Sequence, residues 1–118
     1  MRPEERDISY LWDMRQAARE IIEFVLGVPY DLFEKDKKLR YAVERQLIVI
    51  GEAAAHVSAE FQELHSEIPW NQIIGQRNVL AHEYGEILVE RIWLTATKSL
   101  PELLNHLEKL VPEEDEKD

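Results

Sequence analysis

Four residues whose side chains handle phosphate and protons fall within eight positions: Arg77, Asn78, His82 and Tyr84, in the stretch Gly75-Gln-Arg-Asn-Val-Leu-Ala-His-Glu-Tyr-Gly85. Around them the chain is apolar, with Ile73, Ile74, Val79, Leu80 and Ala81. Arginine offers a charged fork suited to phosphate oxygens and to the charge that develops in a transition state. Histidine gives or takes protons near neutrality at its ordinary pKa. Together they could drive attack of an RNA 2′-hydroxyl on the adjacent phosphate without a metal, while Asn78 orients the histidine or the phosphate by hydrogen bonding. A plainer reading stands beside this one. An arginine on a helix is commonly solvated or ion-paired, and a histidine near a helix C-terminus often caps the dipole.

Spacing constrains the chemical reading. Five positions from Arg77 to His82 amount to about 140° of helix rotation, so a straight helix separates them. Seven positions from Arg77 to Tyr84 make nearly two turns, so that pair can share a face. For Arg77 and His82 to meet one phosphate, the helix must unwind near His82, where Gly85 offers a stop, or a second subunit must complete the site. A symmetric dimer placing two clusters across one groove would do the latter.

The elements that carry these residues read as helices throughout. Ile8, Leu11, Met14, Ala18, Ile22 and Val25 recur at spacings of three and four, with Arg15, Arg19 and Glu23 off that stripe. Gly27 and Pro29 stop this first helix. Residues 28–38 read as a connector with aromatic anchors and a lysine cluster. The second helix runs from about Leu39 to Val57, its stripe formed by Leu39, Val43, Leu47, Ile50, Ala54 and Val57. Its middle, Leu47-Ile-Val-Ile-Gly51, is apolar nearly all round, which marks the central helix of the core. Ser58 to Ile68 holds one or two turns, Pro69 restarts the chain, and a third helix spans about Trp70 to His82. The fourth, roughly Ile87 to Leu110, turns Leu88, Ile92, Ala96, Ser99, Leu103, Leu107 and Leu110 inward. Pro101 predicts a kink or break near Ser99. No strand-like alternation and no internal repeat occurs. The expected fold is all-α, an up-down bundle of four main helices in one domain over residues 1–112, followed by an acidic, disordered tail at 113–118.

Composition sets limits on function. The chain has 118 residues, enough for one core and too few for two. It contains no cysteine, which excludes disulfides, thiolate metal sites and cysteine nucleophiles. No apolar run approaches the roughly 18–20 residues that span a bilayer, and the start lacks a secretory pattern, so a cytoplasmic location is expected. The net charge is −10. The tail contributes −4 of this, leaving −6 on the body. A protein that held nucleic acid mainly by neutralising phosphate would be basic, so RNA binding here needs a local cationic patch or brief contact. The same acidity suits a basic partner protein.

Arg77-Asn-Val-Leu-Ala-His82-Glu-Tyr84 fits Arg-x-x-x-x-His-x-Tyr and resembles the signature of HepT-like toxins in the HEPN superfamily. Ala42-Val-Glu-Arg-Gln-Leu-Ile-Val-Ile-Gly-Glu-Ala-Ala-Ala55 is similar to that family's second helix. Ile68 to Tyr84 resembles its signature segment, and Trp93 with Leu100-Pro-Glu-Leu-Leu104 its last helix. The resemblance implies a homodimeric helical bundle with the active cleft between subunits. It implies a metal-independent endoribonuclease toxin with no cofactor, neutralised by a minimal nucleotidyltransferase antitoxin. By the same carry-over Arg77 and His82 are catalytic, Asn78 fills the polar position after the arginine, and Tyr84 matches a tyrosine that the antitoxin modifies with AMP. That group would put bulk and negative charge beside a phosphate-binding cleft.

Other residues carry two readings each. Glu52 follows the apolar core of the second helix and can orient Arg77 or His82 by a charge-assisted hydrogen bond; equally, it pairs with any nearby base. Glu52 and His56 are four apart, but di-iron bundles use Glu-x-x-His on two helices, so no metal is expected. His65 and His106 read as isolated surface residues. Lys35, Lys37, Lys38, Arg40 and Arg45 either contact an RNA backbone, dock the antitoxin, or form a solvated loop interleaved with Glu34, Asp36 and Glu44. Trp12, Trp70 and Trp93 read as core or interface packing more than base-stacking platforms. The rival to an RNA endonuclease is a non-catalytic subunit that binds nucleotide and is AMPylated by a nucleotidyltransferase.

Overall fold

The computed structural model describes residues 3–82 and 89–112, with the backbone alone described for Pro3, Glu4, Ala81 and His82. Tyr84, the stop at Gly85, Ile87, Leu88 and the acidic tail at 113–118 lie outside the described residues. The described chain is all-α. Helix α1 spans Pro3–Val25, α2 Tyr30–Lys35, α3 Lys37–His56, α4 Ala59–Leu64 and α5 Trp70–His82. Then α6 covers Val89–Leu94, a π-helical turn Thr95–Ser99, and α7 Leu100–Leu110. No strand occurs among the described residues, and none of the helices is long and apolar enough to cross a membrane.

The expected apolar stripes form the core. Leu11, Met14 and Ala18 of α1 are buried with Val43, Leu47, Ile50 and Ala54 of α3 and with Leu103 and Leu107 of α7, while Ile21 is fully buried where the pattern expected Ile22, which is half-buried. Helix α3 is central: it packs on α1 along one side and on α5 along another, while α7 closes on α1. Gly27 ends α1 with φ of 75°, the left-handed C-terminal conformation that glycine adopts without a Cβ penalty. Asp36 opens α3 by accepting a hydrogen bond from the Leu39 backbone N–H at 3.0 Å.

Three expectations change. The 28–38 connector contains a short helix, α2, whose Phe33 is fully buried and whose rings Tyr30 and Phe33 lie 5.8 and 5.0 Å from Trp93 of α6. Arg15, expected off the apolar stripe, is completely buried. Its Nη1 donates to the carbonyl of Pro112 at 3.2 Å and to that of Val111 at 3.4 Å, so it ends the bundle by fixing the exit of α7. One turn on, Arg19 donates to both carboxylate oxygens of Glu108, at 2.8 and 2.9 Å. Finally, the break near Ser99 takes the form of the π turn. There the Leu100 N–H reaches back to the Thr95 carbonyl, one residue further than in an α-helix, just before Pro101 at the start of α7. Leu100 is buried where the pattern expected Ser99, and Ser99 is exposed.

Beside α2, Glu44 is half-buried on α3, and desolvation raises its carboxyl above the ordinary value of 4.5 despite the attraction of Arg40. The folded state therefore favours the protonated acid. Its stabilising contribution is complete below 4.5 and declines as pH rises from there through the folded value. Glu44→Gln removes that decline. Thermal melts should show the variant progressively more stable than the parent as pH rises above 4.5 and merging with it below that. Equal melts at every pH would contradict the burial of this carboxyl.

Candidate active site

Helix α5 carries the Arg77 cluster, and its start is fixed by a corner of rings. Trp70 is buried and its indole N–H donates to the His65 carbonyl at 3.0 Å, while Phe61 lies 6.4 Å from Trp70 and 4.4 Å from the His65 ring. His65 also approaches Glu67 at 3.4 Å, so it belongs to this corner and is not an isolated surface residue. Gln62 ties the corner to the end of α3 by donating to the carbonyls of Ala54 and Val57. Ser58 caps α4 and donates to Asp7 of α1 at 2.7 Å. From there α5 runs back along α3 and the chain returns as α6, which packs on α2 and α3.

The contact that sets α5 on α3 is at Gly51, which is buried. A Cβ built there would overlap the Cβ of Arg77 and lie 2.9 Å from its Cγ and 3.1 Å from the Ile73 carbonyl oxygen. Only a residue without a side chain permits this approach. On its other side, α5 is held by Gln76, whose amide donates to the Thr95 hydroxyl at 3.1 Å in the π turn. Thr95 in turn donates to the Arg91 carbonyl at 3.0 Å.

Arg77 is thus anchored at its base. Its Nη1 donates to the Asn78 side-chain oxygen at 2.8 Å, and its Nε is buried without a hydrogen-bond partner among the described residues. No carboxylate among them pairs with Arg77. A half-buried guanidinium with uncommitted donors is suited to an anion. Asn78 is exposed and orients Arg77, where the sequence left histidine or phosphate as its partner. Glu52 is exposed one position beyond Gly51, and among the described residues its carboxylate makes no hydrogen bond or ion pair. The backbone of α5 stays α-helical through His82, so positions 77 and 82 remain five residues, about 140°, apart on the helix. Unwinding before His82 is not how the chain brings them together.

His56 stacks on Tyr10 with ring centroids 5.2 Å apart. Among the described residues no group of three or more His, Asp or Glu could hold a metal ion. A cavity of about 700 Å³ runs along the Gly75, Gln76 and Val79 flank of α5, against α7 and the π turn; neither Arg77 nor Asn78 lines it. Two positions escaped the sequence reading. Gly51 reads in sequence as the end of an apolar run, although a glycine inside a buried helix signals close backbone approach. The Gln76–Thr95 bond depends on the π turn and had no sequence signal.

The family model described as ribonuclease HepT-like matches residues 14–110. A candidate RNase of Methanocaldococcus jannaschii is 34% identical over 104 residues, 87% of this chain and 95% of that protein. A candidate RNase of Caldanaerobacter subterraneus subsp. tengcongensis is 38% identical over 105 residues, 89% of this chain and 94% of that one. A protein of Thermococcus cleftensis named probable ribonuclease HepT is 38% identical over 102 residues, 86% and 93% of the two chains. No solved structure matches the chain.

The two glycines in α3 and α5 make opposite predictions. Gly75 has nothing within 4 Å of a built Cβ. Gly75→Ala should therefore stabilise the fold by up to about 1 kcal/mol through helix propensity. Gly51→Ala gains the same propensity but overpacks the α3–α5 contact, and should lose about 1–3 kcal/mol in urea unfolding. A Gly51→Ala protein as stable as the parent would contradict the close approach.

Proposed function

The chain belongs to the HepT-like ribonuclease family, and from that membership we propose that it is a metal-independent endoribonuclease and the toxin of a type II toxin–antitoxin system. The observation that supports this reading is the state of Arg77: seated on Gly51, held by Asn78, and unpaired with any carboxylate among the described residues. Such a guanidinium is suited to donating to a phosphate.

In this reading His82 removes the proton from an RNA 2′-hydroxyl, whose oxygen attacks the adjacent phosphorus. The bond from phosphorus to the 5′-oxygen breaks, that oxygen takes a proton, and a 2′,3′-cyclic phosphate and a 5′-hydroxyl end result. Arg77 stabilises the charge on the non-bridging oxygens as it builds, and Asn78 keeps the guanidinium in place. Because 77 and 82 diverge on one helix, a second copy of the chain supplies the histidine that faces a given arginine across a dimer cleft. Glu52, next along α3 from Gly51, is the supporting carboxylate at the edge of that cleft. A minimal nucleotidyltransferase antitoxin restrains the activity by adding AMP to Tyr84, whose phosphate would occupy the arginine's place for RNA and repel the substrate.

Purified protein should cut single-stranded RNA in the presence of a chelator and leave cyclic-phosphate ends. His82→Ala should lower the rate by about 10²–10⁴-fold, the usual worth of a positioned acid–base residue, and Arg77→Ala by a similar factor. If wild type and His82→Ala cut equally, the catalytic reading is wrong.

A further inference from the structure

The outward face of α3 repeats a basic–aromatic pattern. Lys38, Tyr41, Arg45, Ile48 and Glu52 follow at spacings of three and four and so lie along one side of the helix, with Lys37 flanking them. Lys37, Lys38, Tyr41 and Arg45 are all exposed, and the Tyr41 side chain is 58% accessible although nothing apolar requires it there.

Two of the acids that interleave with these cations in sequence are engaged in the fold. Asp36 spends a carboxylate oxygen on capping α3. Glu44 is half-buried on the side of Arg40, and Arg40 itself donates to the Glu34 carbonyl on α2. Among the described residues Lys37, Lys38 and Arg45 make no hydrogen bond or ion pair. An independent feature points the same way. Lys37 and Lys38 occupy the first turn of α3, which contains no acid. The helix dipole favours anions at that end, and each cation there works against the fold. Two lysines, the positive end of a 20-residue helix and an unpaired arginine thus concentrate positive potential on one face of a chain whose net charge is −10.

Along the axis this face approaches the site: Arg45 precedes Gly51 by six residues, about 9 Å of helix rise and about 120° of rotation, and Glu52, on the face itself, adjoins Gly51, where α5 presents Arg77. We propose that the exposed face of α3 is the RNA-guiding surface: Lys37, Lys38 and Arg45 hold consecutive phosphates of a single strand, and Tyr41 stacks one of its bases. The inference rests on the ribonuclease reading for the identity of the strand. Surplus positive potential in an otherwise acidic protein also gives the strand one entry direction, since the remaining surface repels it.

The test is binding, measured apart from cleavage by fluorescence anisotropy with a labelled 12-nucleotide single-stranded RNA and His82→Ala protein as the parent. Adding Lys37→Ala, Lys38→Ala and Arg45→Ala should flatten the slope of log affinity against log salt by about 2, at roughly 0.7 per lost single-strand phosphate contact. Tyr41→Ala should weaken binding about tenfold, while Tyr41→Phe, which keeps the ring, stays near the parent. Lys37→Glu with Lys38→Glu should raise the melting temperature, because acids suit that helix end, and yet abolish binding. Lys98→Ala and Lys109→Ala should change nothing. An unchanged salt slope in the triple variant, equal losses for Tyr41→Ala and Tyr41→Phe, or binding of an acidic protein but not RNA would each overturn the proposal. Should wild type fail to cut RNA while these binding shifts appear, the nuclease reading falls and the guiding surface stands.

Discussion

The missing Cβ at Gly51 governs how α5 lies on α3, and most of the candidate site depends on that closeness. Any larger residue would meet the Arg77 side chain at its root and the Ile73 carbonyl behind it. The approach fixes the arginine's starting point and rotation, and Asn78 then holds its far end. Energy for this arrangement comes from elsewhere: Trp70 buried at the start of α5, and the Gln76–Thr95 bond on the opposite flank. The π turn has a place in the same scheme. By lengthening the helical path by one residue before Pro101, it presents Thr95 to α5 and lets Leu100 enter the core.

Much of this was legible in the residue pattern, for physical reasons that can be named. Most of the stripes of α1 and α3 are legible because burial on one side of a helix leaves a periodic trace in sequence, though Ile21 takes the core place expected of Ile22. The break before Pro101 was legible because proline removes a backbone donor at a known place. Helix α2 was hidden, since six residues after Pro29 are too few to establish a period and its buried Phe33 is paid for by Trp93, sixty residues away. Arg15 was misread for a related cause: its partners are carbonyls at the far end of the chain, and no local pattern announces them. The cluster itself was found from residue types, but the role of Asn78 as the holder of Arg77 needed the geometry. The 140° divergence of positions 77 and 82 was computed from spacing alone, and the regular backbone through His82 keeps it.

Acidity and RNA chemistry are compatible once charge is resolved by position. Two of the basic residues of α1 are engaged in structure, Arg15 on carbonyls and Arg19 on Glu108. On the outward face of α3, Lys37 and Lys38 are left to solvent at a helix end that disfavours them, and Arg45 is left to solvent two turns on. A protein of this kind would hold RNA along one path and release it readily, which suits the proposed chemistry, whose main requirement is an arginine and a histidine brought to the same phosphate.

That last requirement is the central claim: a given phosphate is served by Arg77 of one copy and His82 of another. It can be tested by mixing inactive proteins. Arg77→Ala and His82→Ala chains, unfolded together and refolded at equal concentration, should form mixed dimers in half of the population. Each mixed dimer retains one intact arginine–histidine site of two, so the mixture should recover about a quarter of wild-type RNA cleavage. A mixture no more active than either parent would show that each copy needs both residues on its own helix, and the composite cleft would be wrong.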